Sequence, residues 1–269
     1  MKYKSLLAAT ALTICLSAPA LADDITSPFY VPSLGEVFSE TAVTYDRVSY
    51  KGSQSDEDFS LKENIDFGMG EEFAIRAALS NRFNTKHLTN QNYNNDINLD
   101  YELGVRKTFR AANGLVSNFG ASYYTYNPRS WYGRSAESKE RIREVRGNTR
   151  WYKELRGEGK LGYELEDGLM PYASLNISGN IDDADRELYY RAFAGVHKME
   201  NAFSYDVGLR YDFEFGSDSE EAWFMQAASD YFFNDMITVG GFADYRFAGT
   251  SDPKIDYGYT LGARLKILF

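Results

Sequence analysis

Charged residues fall at even spacing along several segments of this chain, and that spacing bounds the chemistry open to it. Between 150 and 164, Arg150, Glu154, Arg156, Glu158, Lys160 and Glu164 all share one parity. Arg76, Asp100, Glu102, Arg106, Arg191, Asp206, Arg210, Asp212, Glu214, Asp244, Arg246 and Arg264 stand likewise on the polar side of alternating segments. A period of two puts such residues on one face of a strand. A face this charged is tolerated where water reaches it or where the charges pair. It then serves either as the wall of a polar conduit, its charges setting selectivity, or as an interior plugged by salt bridges.

Other chemistry finds little support. The two histidines are His87, in His87-Leu88-Thr89-Asn90, and His197, in His197-Lys198-Met199-Glu200. Neither sits with the Ser, Asn or Asp that activated-nucleophile catalysis needs in set positions. Pairs such as Asp212 and Glu214 face one way, but so does every second residue of a strand. No glycine-rich phosphate loop, zinc motif or nucleophile elbow is present, so no catalytic residue, metal site or cofactor is expected. The acidic runs Asp56-Glu57-Asp58, Asp182-Asp183-Asp185 and Asp218-Ser219-Glu220-Glu221 lack calcium-loop spacing. The segment 127–148 differs in carrying Arg129, Arg134, Lys139, Arg141, Arg143 and Arg146 against Glu137, Glu140 and Glu144. It reads either as a loop folded over the mouth of a barrel or as a solvated hairpin extension.

The elements that must position these charges are strands. Twelve alternating segments are separated by turn residues. In Phe203 to Phe215, Phe203, Tyr205, Val207, Leu209, Tyr211, Phe213 and Phe215 form one face, and Asp206, Arg210, Asp212 and Glu214 lie on the other. Aromatics hold both ends of the apolar face and aliphatics its middle. A bilayer imposes that order, because aromatic rings prefer the headgroup level. Trp223 to Phe233 repeats it. The remaining segments are 40–50, 59–69, 73–79, 97–105, 115–126, 151–165, 169–177, 188–196, 237–247 and 257–269. The first and the seventh (169–177) are weakest. In the first, Val43 and Tyr45 fall out of phase with Val48 and Tyr50, which predicts a bulge. Short turns near 68–72, 110–114, 167–168, 198–202 and 234–235 alternate with longer polar connections, as in an even-stranded barrel with both termini on the short-turn side. A soluble sandwich or calycin-like barrel shares the period of two. The depth-ordered aromatics, the charged opposite face and the C-terminus favour the membrane.

Targeting agrees. Lys2 and Lys4 precede an apolar run from Leu6 to Leu16, and Ala20-Leu21-Ala22 is a cleavage site, giving a signal peptide over 1–22. Its removal takes the single cysteine, Cys15, and leaves 27 Lys+Arg (29 less Lys2 and Lys4) against 39 Asp+Glu, a net charge of −12. Nucleic acid is not a fitting partner for that balance. Aromatics reach 16%, with 21 tyrosines, while mean hydropathy is −0.46. After residue 22 no stretch is long and apolar enough for a transmembrane helix.

The C-terminus carries a resemblance. Tyr259, Leu261, Ala263, Leu265, Ile267 and Phe269 alternate up to a final aromatic. This resembles the assembly signal of Gram-negative outer-membrane β-barrel proteins, and the strand number resembles that of small monomeric porins, including acidic-sugar porins. The resemblance implies an all-β, closed antiparallel transmembrane β-barrel of 12 strands over 37–269, preceded by a periplasmic leader over 23–36. It implies an outer-membrane location, and as partners outer-membrane lipid, lipopolysaccharide and the barrel assembly machinery. A monomer passing small hydrophilic solutes is the expected function. The alternatives are a structural or surface-interaction barrel and, more remotely, an outer-membrane enzyme, whose His-x-Ser pattern neither histidine provides.

Overall fold

The computed structural model describes residues 24–50, 56–84, 98–126, 152–181, 188–215, 220–249 and 255–269. The segment 1–23, with the expected signal peptide, and the segment 127–151 lie outside the described residues. The strands are β1 (Val37–Tyr50), β2 (Asp56–Gly70), β3 (Phe73–Asn84), β4 (Asn98–Arg110), β5 (Leu115–Tyr126) and β6 (Tyr152–Tyr163). They continue with β7 (Leu169–Asn180), β8 (Leu188–Glu200), β9 (Phe203–Phe215), β10 (Glu220–Asn234), β11 (Ile237–Gly249) and β12 (Ile255–Leu268). Each pairs antiparallel with its sequence neighbours, and β1 pairs with β12 to close the barrel. Val37 and Phe269 exchange backbone hydrogen bonds of 3.1 and 2.8 Å at that seam. Closure leaves no unpaired strand edge, the condition for crossing hydrocarbon with strands.

Period two then sorts the side chains. Leu103, Leu155, Leu161, Val207, Met225 and Leu261 point outward, while the acids and bases of the same strands point inward. Aromatic rings band the outer surface near both ends. Tyr45 packs on Phe59 and Tyr259 toward one rim, and Phe203 packs on Tyr231 toward the other.

The bulge expected in the first strand does not fall between Tyr45 and Val48. Pairing of β1 with β2 runs without a break from Val37 to Val48, and the irregularity with β12 falls later, between Ser49 and Tyr50. Arg47 explains the misleading pattern. It keeps its outward place beside the ring of aromatics, with Glu57 3.6 Å away, so Val48 can remain on the inner face.

Two-residue turns join β2 to β3, β8 to β9 and β10 to β11. Glu71 and Glu72 both adopt positive φ (51° and 54°), as a type I′ turn demands of its central pair. The leader and Phe269 lie at this turn end. Two buried apolar clusters inside the barrel lie there too. One joins Ile25, Tyr30, Phe38 and Phe232, with Met199 and Leu268 against it. The other joins Phe29, Val116 and Met170, with Tyr172 against it.

Candidate lumenal site

Both clusters contain leader residues, so the segment before β1 is part of the barrel interior. Ile25 and Tyr30 bind the wall made by β1, β8, β10 and β12, and Phe29 binds β5 and β7. The leader therefore crosses the lumen from wall to wall. Its backbone is held as well. Thr108 Oγ1 donates to the Phe29 carbonyl at 2.9 Å, and Lys160 Nζ donates to the Pro28 carbonyl at 3.1 Å. Gly68 lets the chain approach β2, since a Cβ there would stand 1.8 Å from the Ser33 carbonyl oxygen.

At the tip of the leader, Asp24 meets His197 of β8. Nε2 of His197 lies 2.6 Å from Asp24 Oδ2, and Nδ1 lies 3.0 Å from Asp206 Oδ2. Tyr172 donates its hydroxyl to Asp206 at 2.6 Å. Ionised carboxylates only accept, so this geometry is satisfied by the imidazolium. Burial works against the charge of Asp24. The hydrogen bond and the charge of His197 outweigh it and hold the Asp24 carboxyl below its ordinary 3.8. With both ring nitrogens engaged, His197 has none left to take a proton from a nucleophile.

Two further carboxylates are shared. Asp66, wholly buried, accepts from Arg76 Nε at 2.9 Å and Nη2 at 3.2 Å, and from Arg106 Nη2 at 2.6 Å. Asp230, also buried, accepts from Arg264 at 2.7 and 2.6 Å and from Lys266 at 3.2 Å. In each case one acid serves two cations.

The other residues read from the sequence as lining the lumen also fall on the inner face where the structure describes them, except Glu164, which follows β6 and pairs with Arg110 at 3.6 Å at the turn end. Glu102 and Glu154 both meet Arg156, at 3.0 and 2.8 Å. Glu158 meets Lys160 at 2.8 Å. Arg191 meets Asp212 at 3.0 Å, and Arg210 spans Asp212 (3.2 Å) and Asp244 (2.6 Å). Asp100 accepts from Ser80 at 3.1 Å. Glu214 lines the loop-side cavity, and Arg246 sits beyond Asp244 on the same face of β11. Arg150 lies outside the described residues. Of the proposed assembly residues, Tyr259, Leu265 and Ile267 lie on the outer face of β12, and Phe269 follows it with 65% exposure.

Sequence reasoning left out Lys62, Asp66, Asp230 and Asp24. Parity opposite to the outward Phe59 and Leu61 places Lys62 and Asp66 inward, and parity opposite to Ser229 does the same for Asp230. Nothing in the sequence joins Asp24 to β8.

Two cavities occupy the lumen above the leader. The loop-side one, about 520 Å³, is bounded by β2 to β9. The leader-side one, about 470 Å³, has Ile25 to Pro28 and Tyr30 among its boundaries. Inner aromatic rings keep this second space open by lying flat on glycines. A Cβ on Gly195 or Gly208 would approach the Phe193 ring to 2.5 or 2.4 Å.

A closed 12-strand antiparallel barrel with an apolar exterior and a charged interior is the fold of outer-membrane β-barrel proteins, and the solved structures similar to this chain are such proteins. An outer-membrane channel from Pseudomonas putida F1 matches with a TM-score of 0.61 at 11% identity, over 90% of this chain and 98% of that one. A KdgM porin in complex with disordered oligogalacturonate matches at 0.48 and 6%, over 85% and 98%. The translocator domain of the autotransporter NalP from Neisseria meningitidis matches at 0.46 and 7%, over 98% and 95%. No family model matches the chain, and no curated protein matches it by sequence.

Proposed function

We propose that this protein is a porin-like channel of the outer membrane, passing small hydrophilic solutes by diffusion. One observation carries the reading. The interior holds two adjoining cavities of about 520 and 470 Å³ walled by charged side chains, where a barrel filled by its own residues has none. Charged groups lining such space stay solvated and set the local potential that a passing solute meets. In this reading the chain is a non-enzymatic monomer, exported by its signal peptide, inserted by the barrel assembly machinery and surrounded by lipid and lipopolysaccharide. Both termini are periplasmic.

The leader favours a second reading. It crosses the whole turn end and buries Phe29 completely, as a structural or surface-interaction barrel with a sealed interior would require. Purified protein in a planar bilayer separates the two. Stable conductance steps support the channel, and a membrane that stays silent even after residues 24–33 are deleted supports the sealed barrel.

A further inference from the structure

The two cavities share three lining residues, Lys62, Arg76 and Arg106. These come from adjacent strands β2, β3 and β4, and all three are cations. Among the described residues no carboxylate lines both cavities. A solute moving between the cavities therefore passes the neck where they adjoin, and the side chains common to both linings there are cations.

Most of the nearby acids are held by cations outside the neck. Asp66 is the carboxylate bound to the neck, and it is fully buried with both its oxygens taken by Arg76 and Arg106. It offsets one of two guanidinium charges and presents nothing to the passage. Glu158 and Glu102 face the loop-side cavity and are held by Lys160 and Arg156. On the leader side, Asp206 is held by His197 and Asp244 by Arg210, while Glu40 accepts from Asn64. Lys62 differs from all of these. It is exposed to the lumen and, among the described residues, has no ion pair or hydrogen bond. An unpaired ammonium on a flexible stem is a ready partner for a mobile anion.

We infer that the neck of Lys62, Arg76 and Arg106 is an anion-binding waypoint, and that the channel prefers small organic anions such as carboxylates. Lys62 makes the direct contact, and the two arginines, fixed by Asp66, supply the standing field. The inference rests on the channel reading above. Charges at a constriction decide ionic preference more than charges elsewhere along a pore, so the abundance of acids in the wider lumen does not reverse it.

Reversal potentials across a planar bilayer under a potassium chloride gradient test the neck, with wild type, K62Q and K62E compared in the full chain and in a chain lacking residues 24–33. Heat-modifiable gel mobility verifies that each barrel is folded. Wild type is expected to show a chloride-selective potential, K62Q a smaller one of the same sign and K62E one of opposite sign. Added citrate should interrupt the wild-type current and leave that of K62E untouched. A conducting K62E with an unchanged potential overturns the neck while leaving the channel standing. Silence from both the full and the shortened wild-type chains overturns the channel reading, and the neck with it.

Discussion

Asp24 and His197 are 173 positions apart in the chain and 2.6 Å apart in the barrel. The contact ties the tip of the leader to β8, with Asp206 and Tyr172 holding the far side of the imidazolium. Breaking a buried charge pair from one side costs about 3–5 kcal/mol, because the remaining charge stays buried without its partner. H197A should lose the latch outright and leave Asp24 and Asp206 facing one another. D24N should lose less, since Asp206 still answers the ring. Amide hydrogen exchange at Tyr30 reads the result, and protection is expected to fall further in H197A than in D24N. Equal protection in all three proteins would deny the latch any part in seating the leader.

The same pair makes leader docking sensitive to acid. The Asp24 carboxyl titrates below its ordinary 3.8 when docked, because His197 stabilises its ionised form against the cost of burial. A group whose folded value is depressed adds stability above the unfolded value and loses it as the pH falls through the folded one. Docking should therefore hold from neutral pH down to about 4 and weaken below that. Hydrogen exchange of the leader between pH 6 and 2, rated against a strand amide of β9, reveals the loss. In D24N that step should vanish.

Packing holds the middle of the leader, and Gly162 on β6 admits it. A Cβ at this position would lie 2.7 Å from the Phe29 ring, which is itself fully buried. G162L should thus expel Phe29 while the barrel, whose ladder needs no side chain there, stays closed. Chymotrypsin cleavage after Phe29 should become rapid in G162L and remain slow in wild type. Slow cleavage in both would mean that the lumen can accommodate the larger residue.

Most of the barrel was legible in the sequence because a strand's period of two is local. The bounds 115–126 and 203–215 agree with β5 and β9, where aromatics mark the membrane surfaces and turn residues follow directly. The weak seventh segment extends to a full strand, with Leu175 and Ile177 outward. The first strand misled because Arg47 lies among outward residues, and only the β1–β2 register shows that an ion pair with Glu57 keeps it there. Inner-face residues followed from parity alone. Their grouping did not. That Asp66 serves both Arg76 and Arg106 depends on the registers of β2 with β3 and of β3 with β4. The leader was least legible of all, since a short segment with Pro28 and Pro32 reads as extended chain until its partners on distant strands are known.

On the outer surface Glu63 is a residue whose placement runs against the surrounding lipid. It stands between Leu61 and Ile65 on β2, and the hydroxyls of Ser39 and Thr41 on β1 donate to its carboxylate. Those bonds satisfy the oxygens without removing the charge. E63Q keeps an acceptor for the hydroxyls and removes the charge, so it should stabilise the barrel by about 1–2 kcal/mol, somewhat less than the cost of a lipid-facing Arg or Lys. Urea unfolding in lipid vesicles measures the difference. S39A/T41A should move the midpoint the other way by stripping the carboxylate of its donors.

Removing the leader tests what it does to passage. Residues 24–33 cross between two walls and bring apolar side chains into a largely polar interior. Their loss would join the leader-side cavity to the turn end and expose Val116, Met170 and Phe232 to water. Unit conductance of the shortened chain should therefore exceed that of the full chain, at some expense in thermal stability from the two dissolved clusters. Point variants separate these effects. H197A leaves the leader in the chain but unlatched, so it should spend part of its time at the conductance of the shortened chain and part at that of wild type. A single, unchanged conductance level in H197A, with a raised level in the shortened chain, would mean that packing of Ile25, Phe29 and Tyr30 seats the leader without help from the ion pair.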